Sequence, residues 1–429
     1  MYKPVHAIEV SVWGQKVGAV AFDSRLRHYA FEYDPGFVPA GIELAPLTMP
    51  LAHASAPFIF TDLPEATYKL LPAMLADALP DDFGNALVNR WMAVHGVRHE
   101  DITALDRLAY MGRRGMGALE FRPARGPSAK ASSALSLAGL VETARRAVCG
   151  QLDSDDMAQA ALAQIIRVGT SAGGARAKAV VAWNPQTDEI RAGQFDADEG
   201  FEHWLLKFDG MGEDKELGGS QDYGRIEYAY ANMAVAAGLE MSPCRLLEEG
   251  ARAHFMTKRF DRSGNRKHHM QTLCAMAHLD YRRKASHDYN QLFQVLDRLG
   301  LGYEAREEMF RRMAFNVMAA NCDDHPKNFA FLLRQGEPWT LAPAYDVTHA
   351  HNPGGEWTNQ HLMSVNGRFR DISREDLLLV ADRFGVGTAG RVLEQVSAAV
   401  AAWPDFAREA GVSSQECGRI RAHHRVFPK

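Results

Sequence analysis

Residues 321–333 read NCDDHPKNFAFLL, and no other stretch limits the chain as much. Six polar residues, Asn321, Asp323, Asp324, His325, Lys327 and Asn328, stand directly against the apolar run 329–333. A short apolar run bounded by turn residues reads as a buried strand. Polar groups crowded at the mouth of such a strand are costly unless they are partnered or serve a site. The plainer reading is that Asp and Asn cap a turn, as they commonly do. The next residues favour more than a turn. RQGEP at 334–338 is a turn signal, and WTLAPAYDV at 339–347 is a second strand-like piece. A hairpin of this kind returns the chain towards its origin and predicts that Asp346 comes near Asn328.

Asp323 and Asn328 are five residues apart, the spacing of aspartate and asparagine in a kinase catalytic loop. A carboxylate there can accept the proton of an attacking hydroxyl, and an amide oxygen close by can hold Mg²⁺ on the phosphates of ATP. Asp346 offers the metal a second carboxylate, although Asp346-Val347-Thr348 departs from D-F-G. Zinc held by His325 with His349 or His351 is the weaker reading, because no cysteine or glutamate stands at ligand spacing.

A phosphate side is also legible. RVGTSAGGARAKAVVAW at 167–183 is a Gly, Ser and Thr loop entering a strand. Glycines such as Gly173 and Gly174 let backbone N–H groups approach phosphates. Ala175 stands where a Walker lysine would be, so an ordinary strand entry explains the loop equally well. Lys207 lies inside the apolar HWLLKF, and Glu227 near the start of a helix at 225–238 is its candidate partner. A Lys–Glu pair of this sort positions the α- and β-phosphates in kinases. The alternative is an edge-strand lysine reaching solvent.

The rest sets the frame. A length of 429 residues suggests two or three domains, and 46% apolar with 24% charged residues is ordinary for a globular chain. A net charge of -5 argues against a dedicated nucleic-acid binder, and the basic runs YRRK at 281–284 and RIRAHHR at 419–425 read as solvated faces. Five scattered cysteines predict no disulfide framework. The absence of a signal core or a long apolar run predicts a cytoplasmic protein without a membrane span. Alternation over 6–34 predicts an antiparallel sheet, and residues 66–96 read as helical around LPDDFG. PARGPSAKASS at 123–133 reads as a linker, 136–166 as helix, and 178–208 as three strands. Residues 210–224 read as a mobile loop, 253–262 as a strand running into a turn, and the chain beyond 270 as mostly helical.

Together these motifs resemble the HipA-type serine/threonine kinase toxins of bacterial toxin–antitoxin systems. LPDDFG and GMGAL, TSAGGARAK, LLKF, KRFDR, NCDDHPKN and APAYDV follow in the family order over nearly the whole length. The resemblance implies an α+β, two-lobed protein-kinase-like fold with a β-rich N-terminal subdomain and a mostly helical C-terminal lobe. The divisions expected are 1–125, 135–262 and 263–429. It implies ATP and Mg²⁺ as cofactors, Asp323 as the catalytic aspartate, and Asn328 and Asp346 as metal ligands. Lys207, Lys178, Glu227, Gly173 and Gly174 would serve the phosphates. Lys258, Arg259 and Phe260 would form the hinge along the adenine, with Asp261 near the ribose. Ser171 falls at the autophosphorylation position, with Thr170 as rival acceptor. The implied partner is a small helix-turn-helix, HipB-like antitoxin that supplies most of the DNA contact. The implied substrate is a protein, of which aminoacyl-tRNA synthetases are a known class. A small-molecule phosphotransferase with a similar HGDLHPGN-type loop, and a non-catalytic antitoxin-binding subunit, are the competing readings.

Overall fold

The structure is a computed structural model and describes residues 3–80, 82–127, 139, 141, 177–209, 222–250 and 252–427. The chain divides into two compact units, one of residues 1–212, 258–278 and 332–338, the other of 213–257, 279–331 and 339–429. Thr170, Ser171, Gly173, Gly174, the helical reading of 136–166 save for residues 139 and 141, and the loop reading of 210–221 lie outside the described residues.

The first unit opens with the expected sheet. Strands β1 (Ala7–Val12), β2 (Gln15–Asp23) and β3 (His28–Tyr33) pair antiparallel. A fourth strand that the sequence did not announce, β4 (Leu119–Arg122), joins β1, giving the order β3-β2-β1-β4. Ile8, Val10 and Val12 point one way into the core, as strand alternation requires. The helical reading of 66–96 is corrected. Two single turns, Glu65–Tyr68 and Ala73–Ala76, precede one true helix, Asp82–Val94. Lys69 and Leu70 adopt left-handed φ of 53° and 63°, and Pro72 follows, so the first half cannot continue as helix. Leu71, Met74 and Leu75 are nonetheless buried.

Strands β5 (Lys178–Trp183), β6 (Ile190–Ala192) and β7 (Glu202–Lys207) follow, with β5 between the other two. Every residue of β5 is buried. Residues 258–278 belong to this unit as well. They form a tight hairpin, Arg262–Ser263 with Arg266–Lys267, and then strand His269–Thr272 and helix Leu273–Ala277. Asp77 anchors that helix start, accepting Thr272 N–H at 2.7 Å and its hydroxyl at 2.8 Å.

The second unit begins with helix Tyr223–Ala236, so Tyr223 and Gly224 are helical rather than loop. Strand Cys244–Glu249, also not anticipated, pairs with Arg252–Lys258. Helices Tyr289–Arg298, Tyr303–Met318, Arg374–Arg383 and Ala389–Ala401 build most of the rest. Tyr230 lies at 0% exposure, edge-on to Trp403 at 5.1 Å, with its hydroxyl donating to Ala319 C=O at 2.7 Å. Among the described residues no helix is long and apolar enough to cross a membrane.

Candidate functional site

The loop 321–328 is shaped by how the preceding helix stops. Tyr303–Met318 ends with Ala320 in the left-handed region, φ 54°, while Asn321 N–H reaches back to Asn316 C=O at 2.9 Å. That is the bond pattern of a Schellman stop, normally built on glycine. The chain then runs extended until Pro326–Asn328 makes one tight turn, with Asn328 N–H on His325 C=O at 2.8 Å. The Asn328 side-chain amide donates to Asp323 C=O at 2.7 Å, so the two residues at kinase spacing are tied to each other directly. The buried strand Ala330–Leu333 follows as expected.

The return also occurs, with a correction. Only Trp339–Leu341 is strand, and 342–347 is irregular. Ala342 N–H bonds to Ala330 C=O at 3.0 Å, and the Tyr345 hydroxyl donates to Lys327 C=O at 2.5 Å. Asp346 then takes φ 52°. A non-glycine residue there is strained and is often found at functional sites. Asn328 and Asp346 line one small cavity of ≈ 20 Å³, together with Asp324, Asn316, Asn321 and Arg312. Among the described residues, Asn321 Oδ1 and Arg312 Nη2 of this lining are buried without a hydrogen-bond partner. The Asp323 carboxylate is not part of the lining. Its side chain is 44% exposed, with His325 Nε2 at 3.7 Å from Oδ1.

Asp324 does the opposite. At 1% exposure, its carboxylate accepts the Tyr289 hydroxyl and His361 Nδ1, both at 2.9 Å, and Leu362 N–H at 2.7 Å. Asn316 donates to the Tyr289 oxygen at 3.0 Å, and Asn321 to Asn316 Oδ1 at 2.9 Å. Burial opposes an imidazolium at His361, but Cys322 and the Asp324 carboxylate raise its pKa well above the ordinary value. Burial, followed by the charge of Asp324, pushes the Tyr289 hydroxyl well above its own. Tyr289 and His361 gave no sequence signal, since they stand 35 and 37 positions from Asp324.

Asn328 and Asp346 carry an amide and a carboxylate oxygen, the donor types Mg²⁺ takes, usually from one or two carboxylates with water and phosphate completing the shell, while the Arg312 guanidinium lines the same cavity. Among the described residues no three His, Cys, Asp or Glu side chains are placed to hold a metal ion. His349, weighed above as a zinc ligand, meets His423 instead, Nε2 to Nδ1 at 3.0 Å.

In the first unit, Lys178 is 2% exposed and stands directly opposite Lys207 in the β5–β7 register. Glu227 is 2% exposed in the second unit, sharing its buried helix face with Tyr230, Ala231 and Ala234. Lys258 pairs with Glu202 at 2.6 Å, and Phe260 is half-buried. Asp261 is enclosed with Arg259, against the place near the ribose that the resemblance implies. Their side chains are at 0% exposure, joined by two bonds of 2.9 and 2.6 Å, and Asp261 also accepts Gly117 N–H at 2.8 Å. An enclosed carboxylate so engaged offers no edge to a ribose. Burial alone would raise the Asp261 carboxyl, but Arg259, Arg262 and these bonds outweigh it and hold it well below the carboxylate range. Gly117, from GMGAL, is needed here: its φ is 77°, and a Cβ would lie 3.2 Å from Met270 N.

A family model described as HipA N-terminal domain matches residues 8–122, and one described as HipA-like C-terminal domain matches 170–403. In fold the chain is similar to a chain of the Shewanella oneidensis MR-1 toxin–antitoxin complex of HipA, HipB and operator DNA. The TM-score is 0.67 at 16% identity, covering 97% of this chain and 94% of that one. Similarity to the proinflammatory kinase CtkA of Helicobacter pylori covers 52% of this chain and 88% of that one at 10% identity, with a TM-score of 0.32 that bears no weight. No curated protein matches the sequence.

Proposed function

The chain belongs to the HipA family, and from that premise we propose that it is an ATP-dependent serine/threonine protein kinase acting as the toxin of a toxin–antitoxin pair. The observation that carries this reading is the meeting of Asn328 and strained Asp346 at one cavity, with Asn328 bonded to the backbone of Asp323. Asp323, the exposed carboxylate of the loop, accepts the proton of the acceptor hydroxyl. Asn328 and Asp346 hold Mg²⁺, which supplies charge neutralisation on the ATP phosphates when bound. Lys207 and Lys178, paired across two strands, bind those phosphates. Lys258 to Phe260 flank the adenine. The acceptors are a host protein, with aminoacyl-tRNA synthetases as the first class to examine, and Ser171 of the chain itself. The antitoxin is a small HipB-like DNA-binding protein.

The test is ³²P transfer from ATP onto the purified chain and onto host proteins, with Asp323→Asn as control. Transfer that vanishes in the variant supports the reading. Undiminished transfer removes Asp323 from its role, and no transfer by the parent chain sinks the kinase assignment.

A further inference from the structure

The cavity shared by Asn328 and Asp346 has further walls that the proposed reaction leaves unused. Arg312 comes from helix Tyr303–Met318 and Asn321 from just beyond its end, and both are buried. Arg312 is held on one side: its Nε donates to Glu308 at 2.7 Å, one helical turn back, and that carboxylate balances its charge. Among the described residues its Nη2 has no hydrogen-bond partner. Asn321 is held in the same manner. Its Nδ2 donates to Asn316 Oδ1 at 2.9 Å, while its Oδ1 has no partner among the described residues. One unused donor and one unused acceptor therefore belong to the lining of the same ≈ 20 Å³. Leaving such buried groups unmade is costly. A polar cavity of about this size holds one water when two or more polar groups meet it.

We propose that one ordered water is built into this cavity, accepting from Arg312 Nη2 and donating to Asn321 Oδ1, and that its second proton orients the Asp346 carboxylate. Arg312 and Asn321 are then positioning residues for the metal pair. The inference rests on the kinase reading and deepens it. Two observations direct the second proton. Asp324, the other acid of the lining, already accepts the Tyr289 hydroxyl, His361 Nδ1 and Leu362 N–H. Asp346 stands at φ 52° on the irregular segment 342–347, where no strand ladder sets the direction of its side chain. The chemistry also favours a water over a direct bond. A guanidinium bonded to Asp346 would compete with Mg²⁺ for the carboxylate, whereas a water between them leaves a carboxylate oxygen to the ion. A monovalent cation fits the cavity less well, because Arg312 brings a positive charge to its wall.

A high-resolution crystal structure of the full chain without nucleotide reads the bridge directly. Water density within hydrogen-bond reach of both Arg312 Nη2 and Asn321 Oδ1 supports it. No such density, or either atom paired with another protein group, overturns it. Calorimetry reads the role, as the ratio of ATP affinities with and without Mg²⁺, in the parent chain, Arg312→Lys, Asn321→Ala and the double variant. Arg312→Lys keeps a cation for Glu308 and so is the mildest of these for the fold. Each single variant should lower the ratio about tenfold. The double variant should lower it no further than the weaker single, because both residues act through one molecule. Losses that add overturn the bridge, and an unmoved ratio overturns the positioning role. Val317→Ala, a buried change on the same helix outside the lining, controls for softening of the fold. An equal fall in that variant makes the effect structural and overturns the positioning role. A parent chain whose ATP affinity ignores Mg²⁺ rejects the metal reading of Asn328 and Asp346, and the positioning role with it, while the density decides the bridge by itself.

Discussion

Two short charged motifs, KRFDR at 258–262 and NCDDHPKN at 321–328, use their aspartates in contrasting ways. Asp261 is enclosed, bonded twice to Arg259 and once to the Gly117 backbone. It ties strand-end residues 259–261 to the segment that leads into β4. The second motif contains both uses in neighbouring residues. Asp324 gathers a hydroxyl, an imidazole and a backbone N–H, whereas Asp323 has His325 at 3.7 Å and keeps 44% of its side chain exposed. Enclosed carboxylates hold backbone in place; the open one can meet a substrate. A dense polar motif therefore says that a site is near without saying which of its residues do the chemistry.

The sharpest way to break this contrast is Asp323→Asn. A general base contributes about 10²- to 10⁴-fold, so transfer should fall by that much, while an exposed near-isosteric change should move stability by no more than about 0.5 kcal/mol. Rapid-quench assays and thermal melts read the two quantities. Next comes Asp261→Ala, which strands Arg259 in the interior and should cost about 3–5 kcal/mol in urea unfolding. Ribose recognition can be separated from that loss. If Asp261 touched a ribose hydroxyl, ATP would be favoured over 2′- and 3′-deoxy-ATP in the parent chain and the milder Asp261→Asn would erase the preference. With an enclosed carboxylate, the ATP-to-deoxy-ATP ratio stays the same in both.

The N-terminal sheet could be read from the sequence because alternation over 6–34 is a local signal that needs no distant partner: Ile8, Val10 and Val12 fall where a half-buried strand puts them. The loop 321–328 was legible for a similar reason, since the spacing of Asp323 and Asn328 and the turn at 334–338 act over a few residues. The helix reading of 66–79 failed because apolar spacing cannot register the left-handed Lys69 and Leu70. β4 was hidden because its pairing with β1 spans more than a hundred positions. The same blindness applies to charge. Nothing near Asp261 in sequence announces Gly117, and nothing near Asp324 announces His361.

Asp324→Asn tests the enclosed half of the second motif. The new amide places N–H groups against Tyr289, His361 or Leu362, all of which donate. A mismatched buried group of this kind costs about 2–3 kcal/mol, and thermal unfolding would register it. Transfer should decline only as far as the loop loosens. Were Asp324 the base instead, its variant would lose transfer outright while Asp323→Asn kept it.

The smallest effect expected concerns Lys267, beside the Asp261 cluster. Its Nζ donates to Arg113 C=O at 2.8 Å and to Glu120 at 2.9 Å, at 13% exposure. Burial raises the Glu120 carboxyl, but Lys267 and Arg113 pull it below its ordinary value, so the pair is attractive. On the lysine side, burial and then Arg262 outweigh that attraction and push Lys267 down to about 8. An unfolded lysine titrates near about 10.4. Between those two values the unfolded chain binds more protons than the folded one, so stability rises with pH across the window. The contribution is fully present above the unfolded value and is lost as pH falls through the folded one. Urea melts through that range, taken as parent minus Lys267→Met so that other titrations cancel, should show a rise of about 2–3 kcal/mol. A flat difference would mean that Glu120 keeps this lysine charged as it is in solution, and that the first motif's surroundings enclose less than Asp261 itself.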